Sequence, residues 1–282
     1  ILSRVLDQQV TLAQRCALPN AAGYTLLLGG ITLMHRLSRR DFQRARHLLE
    51  HLCERWPRLA APHAWRARWH LFSVIQGWSD QPALDRRLAD EACRRALDLD
   101  DASSVALAVA GSVRIQLAQD VDGGLDLYEL AVTHNPNDSL AWTLMGTAHA
   151  FKGEGRPALQ AARQARRLSP LDPMHFLYDC HAASAALAAE DATSAVALAE
   201  RSLRSNAQHL SSYRVLAIAR MLQGDGDAAR RTVRRLRLLD PGYSVQQFLK
   251  HSPSSQYEIG RRFAKLLGEA GLPETPGEPQ SR

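Results

Sequence analysis

Between Ser139 and Asp172 the chain carries residues spaced as in a helical hairpin built to stack against copies of itself. Trp142, Met145, Gly146 and His149 share one predicted helix and Ala158, Ala162 and Ala165 the next. Pro170 closes the unit, and these residues occupy positions 4, 7, 8, 11, 20, 24, 27 and 32 of a 34-residue pattern. Small residues at positions 8 and 20 let two antiparallel helices approach closely, and large ones at 4 and 7 fill the remaining gap. Proline ends the second helix because it cannot continue one. A single hairpin leaves an apolar face open, so copies must follow it.

They do, on both sides. Tyr213, Leu216, Ala217, Ala229, Val233, Leu236 and Pro241 repeat the pattern without a gap, and Ala183, Ala195, Ala199, Ser202 and Ala207 form a degenerate copy displaced by three residues. Gly111, Tyr128, Ala131 and Pro136 fit with one insertion around Asp120–Gly123. Ala89, Cys93, Ala96 and Asp101 make the second helix of another unit, whose first helix holds Trp65 and Trp69 and whose long loop lies near Gly77–Gln81. The first unit pairs Tyr24 and Gly30 with Ala45, Leu49, Leu52 and Pro57. An ordinary helical protein gives a 3.6-residue period but not this longer one, which is that of the tetratricopeptide repeat (TPR). The expected fold is all-α: a right-handed TPR solenoid of about six repeats at 20–61, 62–103, 104–138, 139–172, 173–209 and 210–244. An N-terminal helical cap over 1–19, C-terminal capping helices over 245–272 and a proline-rich disordered tail over 273–282 complete the expected organisation.

Composition agrees and excludes several alternatives. Aromatics are 6% of the 282 residues, and alanine and leucine dominate the 45% that is hydrophobic, which suits close helix packing. The apolar stretch Tyr24–Met34 is about half the ~20 residues a spanning helix needs, so no membrane contact is expected. No secretory signal is visible, and a chain opening on Ile1 reads as a piece of a longer product. Cys16, Cys53, Cys93 and Cys180 show no CxxC or metal-like spacing and read as reduced structural thiols, which favours a cytoplasmic setting. Net charge is +6, and all 35 basic residues but Lys152, Lys250 and Lys265 are arginine. They concentrate on second helices (Arg163, Arg166, Arg167; Arg230, Arg231, Arg234, Arg235, Arg237), the outer, solvated side of a TPR. No direct nucleic-acid contact is expected, and Arg230–Arg237 is the run to test for an acidic partner.

No catalytic constellation is legible. Phosphate-cradling glycine loops, HExxH and GxSxG are absent, and His47 and His51, four residues apart, lack a third ligand. The expectation is therefore a non-enzyme with no cofactor and no metal. Binding belongs to the concave face, onto which the first helices of a TPR turn positions 2, 5, 6, 9, 12 and 13. The expected lining is Tyr24, Leu27 and Ile31; His63, Arg66 and His70; Val109 and Ser112; Thr143, Leu144, Thr147 and Phe151; His181 and Ser184; Arg214 and Ile218. A largely apolar groove with scattered donors suits an amphipathic helix, an extended peptide or a small organic ligand. A flanking helix of the same chain or self-association would fill it instead. The lysine/asparagine clamp that holds chaperone C-termini is missing: positions 5 and 9 carry Leu27 and Ile31, Arg66 and His70, Ala108 and Ser112, Thr143 and Thr147.

Several phrases resemble one bacterial group in particular. "NAAGYTLLLGG" (Asn20–Gly30) is similar to its opening repeat and "GWSDQPALDRRLADEACRRALDLDDASSVAL" (Gly77–Leu107) to its long-looped second unit. "RRLSPLDP" (Arg166–Pro173), "LRLLDPGYSV" (Leu236–Val245) and "RRFAKLLGEAGLPE" (Arg261–Glu274) resemble its later repeats and its cap. The group is the C-terminal TPR region found in class III adenylate cyclases and in winged-helix transcriptional activators of the OmpR/ToxR (CadC/HilA-like) type. The resemblance implies a regulatory or sensory module that binds a partner or ligand, or oligomerises, and so controls an upstream output domain. A winged-helix regulator is the first choice of output, a cyclase the second, and a free-standing interaction scaffold the remainder. No catalytic or DNA-reading residue transfers, because neither output domain lies in this chain.

Overall fold

The computed structural model describes residues 19–36, 38–170 and 174–276, with the side chains of 19–22 left aside. The expected N-terminal cap, apart from its last residue, and the last six residues of the expected tail lie outside that range. So does Cys16. The described residues form fourteen α-helices and no strand, and 79% of them are helical. Six hairpins follow one another: α1 (Pro19–Met34) with α2 (Arg39–Arg55), α3 (Ala60–Ile75) with α4 (Pro82–Leu99), and α5 (Ser104–Ala118) with α6 (Val121–His134). Then come α7 (Ser139–Lys152) with α8 (Gly155–Leu168), α9 (His175–Ala188) with α10 (Ala192–Ser205), and α11 (Leu210–Leu222) with α12 (Gly226–Leu239). A final unit consists of α13 (Val245–His251), a 3₁₀ turn (Pro253–Gln256) and α14 (Glu258–Glu269). Each first helix from α3 to α9 packs on the first helix of the next unit, which is the translational order of a solenoid.

The helix boundaries have local causes. Ser38, Ser103, Asp138 and Asp225 each accept a hydrogen bond from a backbone N–H three residues on, satisfying a donor the helix itself cannot. Asp191 and Asp225, 34 residues apart, cap equivalent second helices. Gly153 ends α7 in the left-handed region at φ 82°, where a Cβ would be strained. Between the paired helices, Gly111 lies so close to its partner that a Cβ there would stand 2.6 Å from Tyr128 and 2.9 Å from the Gly124 carbonyl oxygen. The loop after α3 is stapled by Asp85, which accepts from Ser73 Oγ at 3.0 Å and bonds His70 Nδ1 at 2.6 Å. Burial continues along the whole array, from Phe42, Leu49 and Leu52 at one end to Leu236 and Leu267 at the other.

The C-terminal unit does more than close the last repeat. α14 packs against α11 and also against α7, and the 3₁₀ turn packs against α7. Gln256 Nε2 donates to the Gln119 carbonyl at the end of α5, 2.9 Å away and 137 residues back in sequence. Arg262 pairs with Glu190 at 3.1 Å, and Tyr257 joins the apolar cluster of Leu107, Ile115 and Met145. The chain then returns, and Val245 and Gln246 donate their N–H groups to the carbonyls of Pro273 and Glu274. Residues 245–274 thus run back from the sixth repeat to the third and return.

Candidate functional site

The sixteen residues expected on the concave face divide sharply by exposure. Leu27, His63, His70, Val109, Ser112, Thr143, Thr147 and Ile218 are buried. Ile31, Arg66, Leu144, Phe151, His181, Ser184 and Arg214 are half-buried, and Tyr24 is exposed at 66%. The buried polar members are bonded inside the protein. Thr147 Oγ1 meets His181 Nδ1 at 2.6 Å, Ser112 meets the Tyr128 hydroxyl at 3.1 Å, and His63 Nε2 approaches the Pro57 carbonyl at 3.2 Å. Thr143 donates to the Ser139 carbonyl, and Ser184 to that of Cys180. Arg214 lies over the Tyr243 ring and donates to the Tyr243 hydroxyl at 2.8 Å and to Ser211 at 2.5 Å. The structure therefore joins Thr147 with His181 and holds the others in separate small networks.

The inner face closes because the curvature of the array brings distant first helices together. Trp65 of α3 shares one apolar cluster with Leu140 of α7, and Leu144 and Val105 pack against it. At its centre is Arg68, a residue the repeat register does not single out. Its guanidinium lies 4.7 Å from the Phe72 ring and 5.7 Å from that of Trp65, and His35 stands edge-on to both rings. Arg68 is 2% exposed, its Nε has no hydrogen-bond partner, and among the described residues it forms no ion pair. Burial lowers its pKa to about 10, while Tyr128, Tyr178 and Asp138 act in the opposite sense. Burial lowers His35 to about 3 and His181 to about 4, with the Arg68 charge adding to both. His209 is lowered to about 3, again by burial first. These rings are neutral packing surfaces at physiological pH, and His35 Nδ1 donates to the Ile31 carbonyl at 2.7 Å.

An open cleft lies elsewhere among the described residues. A cleft of about 1070 Å³ runs along α8, bounded by the α9–α10 turn and by α14. Sequence spacing offered one signal for it: Arg156, Arg163 and Arg167 recur at i, i+7 and i+11, on one face of α8. What the sequence could not supply is α14, which arrives from the far end of the chain.

Among the described residues no three His, Cys, Asp or Glu side chains converge on a metal-sized site, and no helix is long and apolar enough to cross a membrane. Cys53, Cys93 and Cys180 are free and buried, and burial raises Cys93 to about 12 and Cys180 to about 11, so they are protonated thiols.

No family model matches the sequence, and no curated protein matches it. Solved structures do match in shape. Against the APC/C hetero-tetramer Cut9-Hcn1 the TM-score is 0.63 at 13% identity, over 94% of this chain and 46% of that one. A monomeric IFIT1 mutant with m7Gppp-AAAA gives 0.62 at 12% identity, over 96% of this chain and 65% of that one. PilF of Pseudomonas aeruginosa gives 0.50 at 19% identity, over 79% of this chain and 94% of that one. The chain thus spans about half of the first and two-thirds of the second. These likenesses are of fold, and with the stacked hairpins they define an all-α TPR solenoid.

Proposed function

We infer that the chain is a non-catalytic TPR module that docks a segment of a partner polypeptide and thereby governs an output domain. The reading rests chiefly on one observation: successive first helices present half-buried side chains of mixed character, from Arg66 to Leu144, Phe151, Ser184 and Arg214, with no nucleophile–base pair among them. Such a surface supplies affinity through apolar contact and direction through a few donors. The resemblance of Asn20–Gly30, Gly77–Leu107 and Arg261–Glu274 to regulatory TPR regions favours a winged-helix transcriptional regulator as the output, and a class III cyclase as the alternative.

Tyr24→Asp and Arg66→Glu are the informative substitutions, since Leu144 and Phe151 pack against apolar clusters and Thr147 and His70 are too buried to change without unfolding the array. In the full-length product these variants should alter reporter transcription, or cyclic-AMP formation if the output is a cyclase, at unchanged helicity and abundance. The same substitutions should weaken peptides selected on the folded chain from a random library. If no selected peptide binds saturably and the output is indifferent to both variants, the reading is wrong.

A further inference from the structure

The α8 cleft carries a charge pattern that the inner face lacks. Two of its cations are already committed: Lys152 pairs with Asp122 at 2.8 Å and Glu154 at 3.2 Å, and Arg262 with Glu190. Three are not. Arg156 and Arg163 are exposed and make no hydrogen bond or ion pair among the described residues, and Arg167 bonds only the neutral Gln164, at 2.7 Å. Their guanidiniums follow one helix face for eleven residues, or about 16 Å. The lining also includes apolar side chains, Leu159, Leu187 and Ile259, of which Leu187 is 3% exposed. Apolar side chains that take methyl groups in one cleft with a row that takes carboxylates form an amphipathic arrangement.

We propose that this cleft docks an acidic, partly apolar segment of a partner polypeptide, its carboxylates on Arg156, Arg163 and Arg167 and its apolar side chains on Leu159 and Ile259. The proposal rests on the polypeptide-docking reading and adds a second surface with a stated partner chemistry. A nucleic acid fits less well. No aromatic ring lines the cleft for bases to stack on. The arginine run of α12 offers charge without this shape: Arg231, Arg234 and Arg235 stand on the exposed outer surface, and Arg230 is tied to Asp227 at 2.6 Å.

The test is fluorescence anisotropy on the intact chain with three labelled probes. They are a peptide of repeated Glu-Glu-Leu-Glu-Leu units, its counterpart with every Glu replaced by Gln, and an oligothymidylate of similar length. The acidic peptide should bind saturably and more weakly as salt rises. Arg163→Glu with Arg167→Glu should weaken it at least about tenfold, and Arg231→Glu with Arg234→Glu, the same charge change on α12, less than about twofold. Equal losses from the two pairs would mean attraction to net charge alone and would overturn the site. Tighter binding of the oligothymidylate, or no binding of the acidic peptide, would overturn the partner class. Equal binding of the Gln peptide, indifferent to the α8 pair, would discard the acidic cleft while leaving polypeptide docking standing.

Discussion

Thr147 Oγ1 and His181 Nδ1 stand 2.6 Å apart and tie α7 to α9 on the inner side of the array. Burial holds His181 near pKa 4, and His35 and His209 near 3. In the unfolded chain each returns to about 6.5. Between those values the unfolded state binds more protons than the folded one, so stability is complete above about pH 6.5 and declines as pH falls. Thermal melts should show Tm nearly constant from pH 8 to 7 and roughly 10 °C lower by pH 5. His181→Asn should remove about a third of that decline. A Tm independent of pH over this range would contradict histidines held neutral in the folded protein.

Arg68 gives a second prediction. A buried guanidinium without an ion-pair partner among the described residues sacrifices hydration that stacking on Phe72 and Trp65 recovers only in part. Replacing such a charge by an apolar chain of similar length is typically neutral or stabilising, by up to about 4 kcal/mol. Urea unfolding of Arg68→Met should therefore show an equal or higher midpoint. Arg68→Ala, which empties the same space, should lose about 2–4 kcal/mol.

Two glycines should respond with opposite sign. A Cβ at Gly30 meets Leu49 at an ordinary 3.6 Å, so Gly30→Ala should gain up to about 1 kcal/mol from helix propensity. At Gly111 the same atom would stand 2.6 Å from the Tyr128 ring and 2.9 Å from backbone oxygen, and Gly111→Ala should cost about 1–3 kcal/mol. Denaturant titration of the pair distinguishes helix entropy from helix spacing.

Leu267 is fully buried in the cluster that joins α14 to α11 and α12. Leu267→Ala should cost about 2–5 kcal/mol, and amide exchange should quicken in α11 and α12 as well as in α14 itself. Faster exchange confined to α14 would show that the terminal unit is a loose appendage.

What the sequence could disclose follows the range of the interactions. Hairpin boundaries depend on near neighbours: Asp191 and Asp225 cap their helices three residues on, and the close approach of Gly146 to Ala158 and Ala161 lies within one repeat. The 34-residue spacing therefore pointed to an all-α TPR solenoid, and a loop lies between Ile75 and Pro82. Curvature is different, because it is the sum of small rotations between units and no residue pair states it. Hence Thr143, Thr147, Val109 and Ile218 of the first helices lie buried, and Arg68, which feels Tyr128 of α6 and Tyr178 of α9 electrostatically, carries no mark in the sequence. The bond from Gln256 to Gln119 was equally illegible, since it depends on where two segments 137 residues apart arrive.

That distant bond changes the kind of object this is. A linear stack frays from its free end, losing one module at a time. Here the terminal strap crosses back to the third module, so the last cannot peel away while the strap remains fastened to α5 and α7. The latter half of the molecule should melt as a block. Tension or a ligand applied at one end of that block is then felt at the other without passing through each intervening joint.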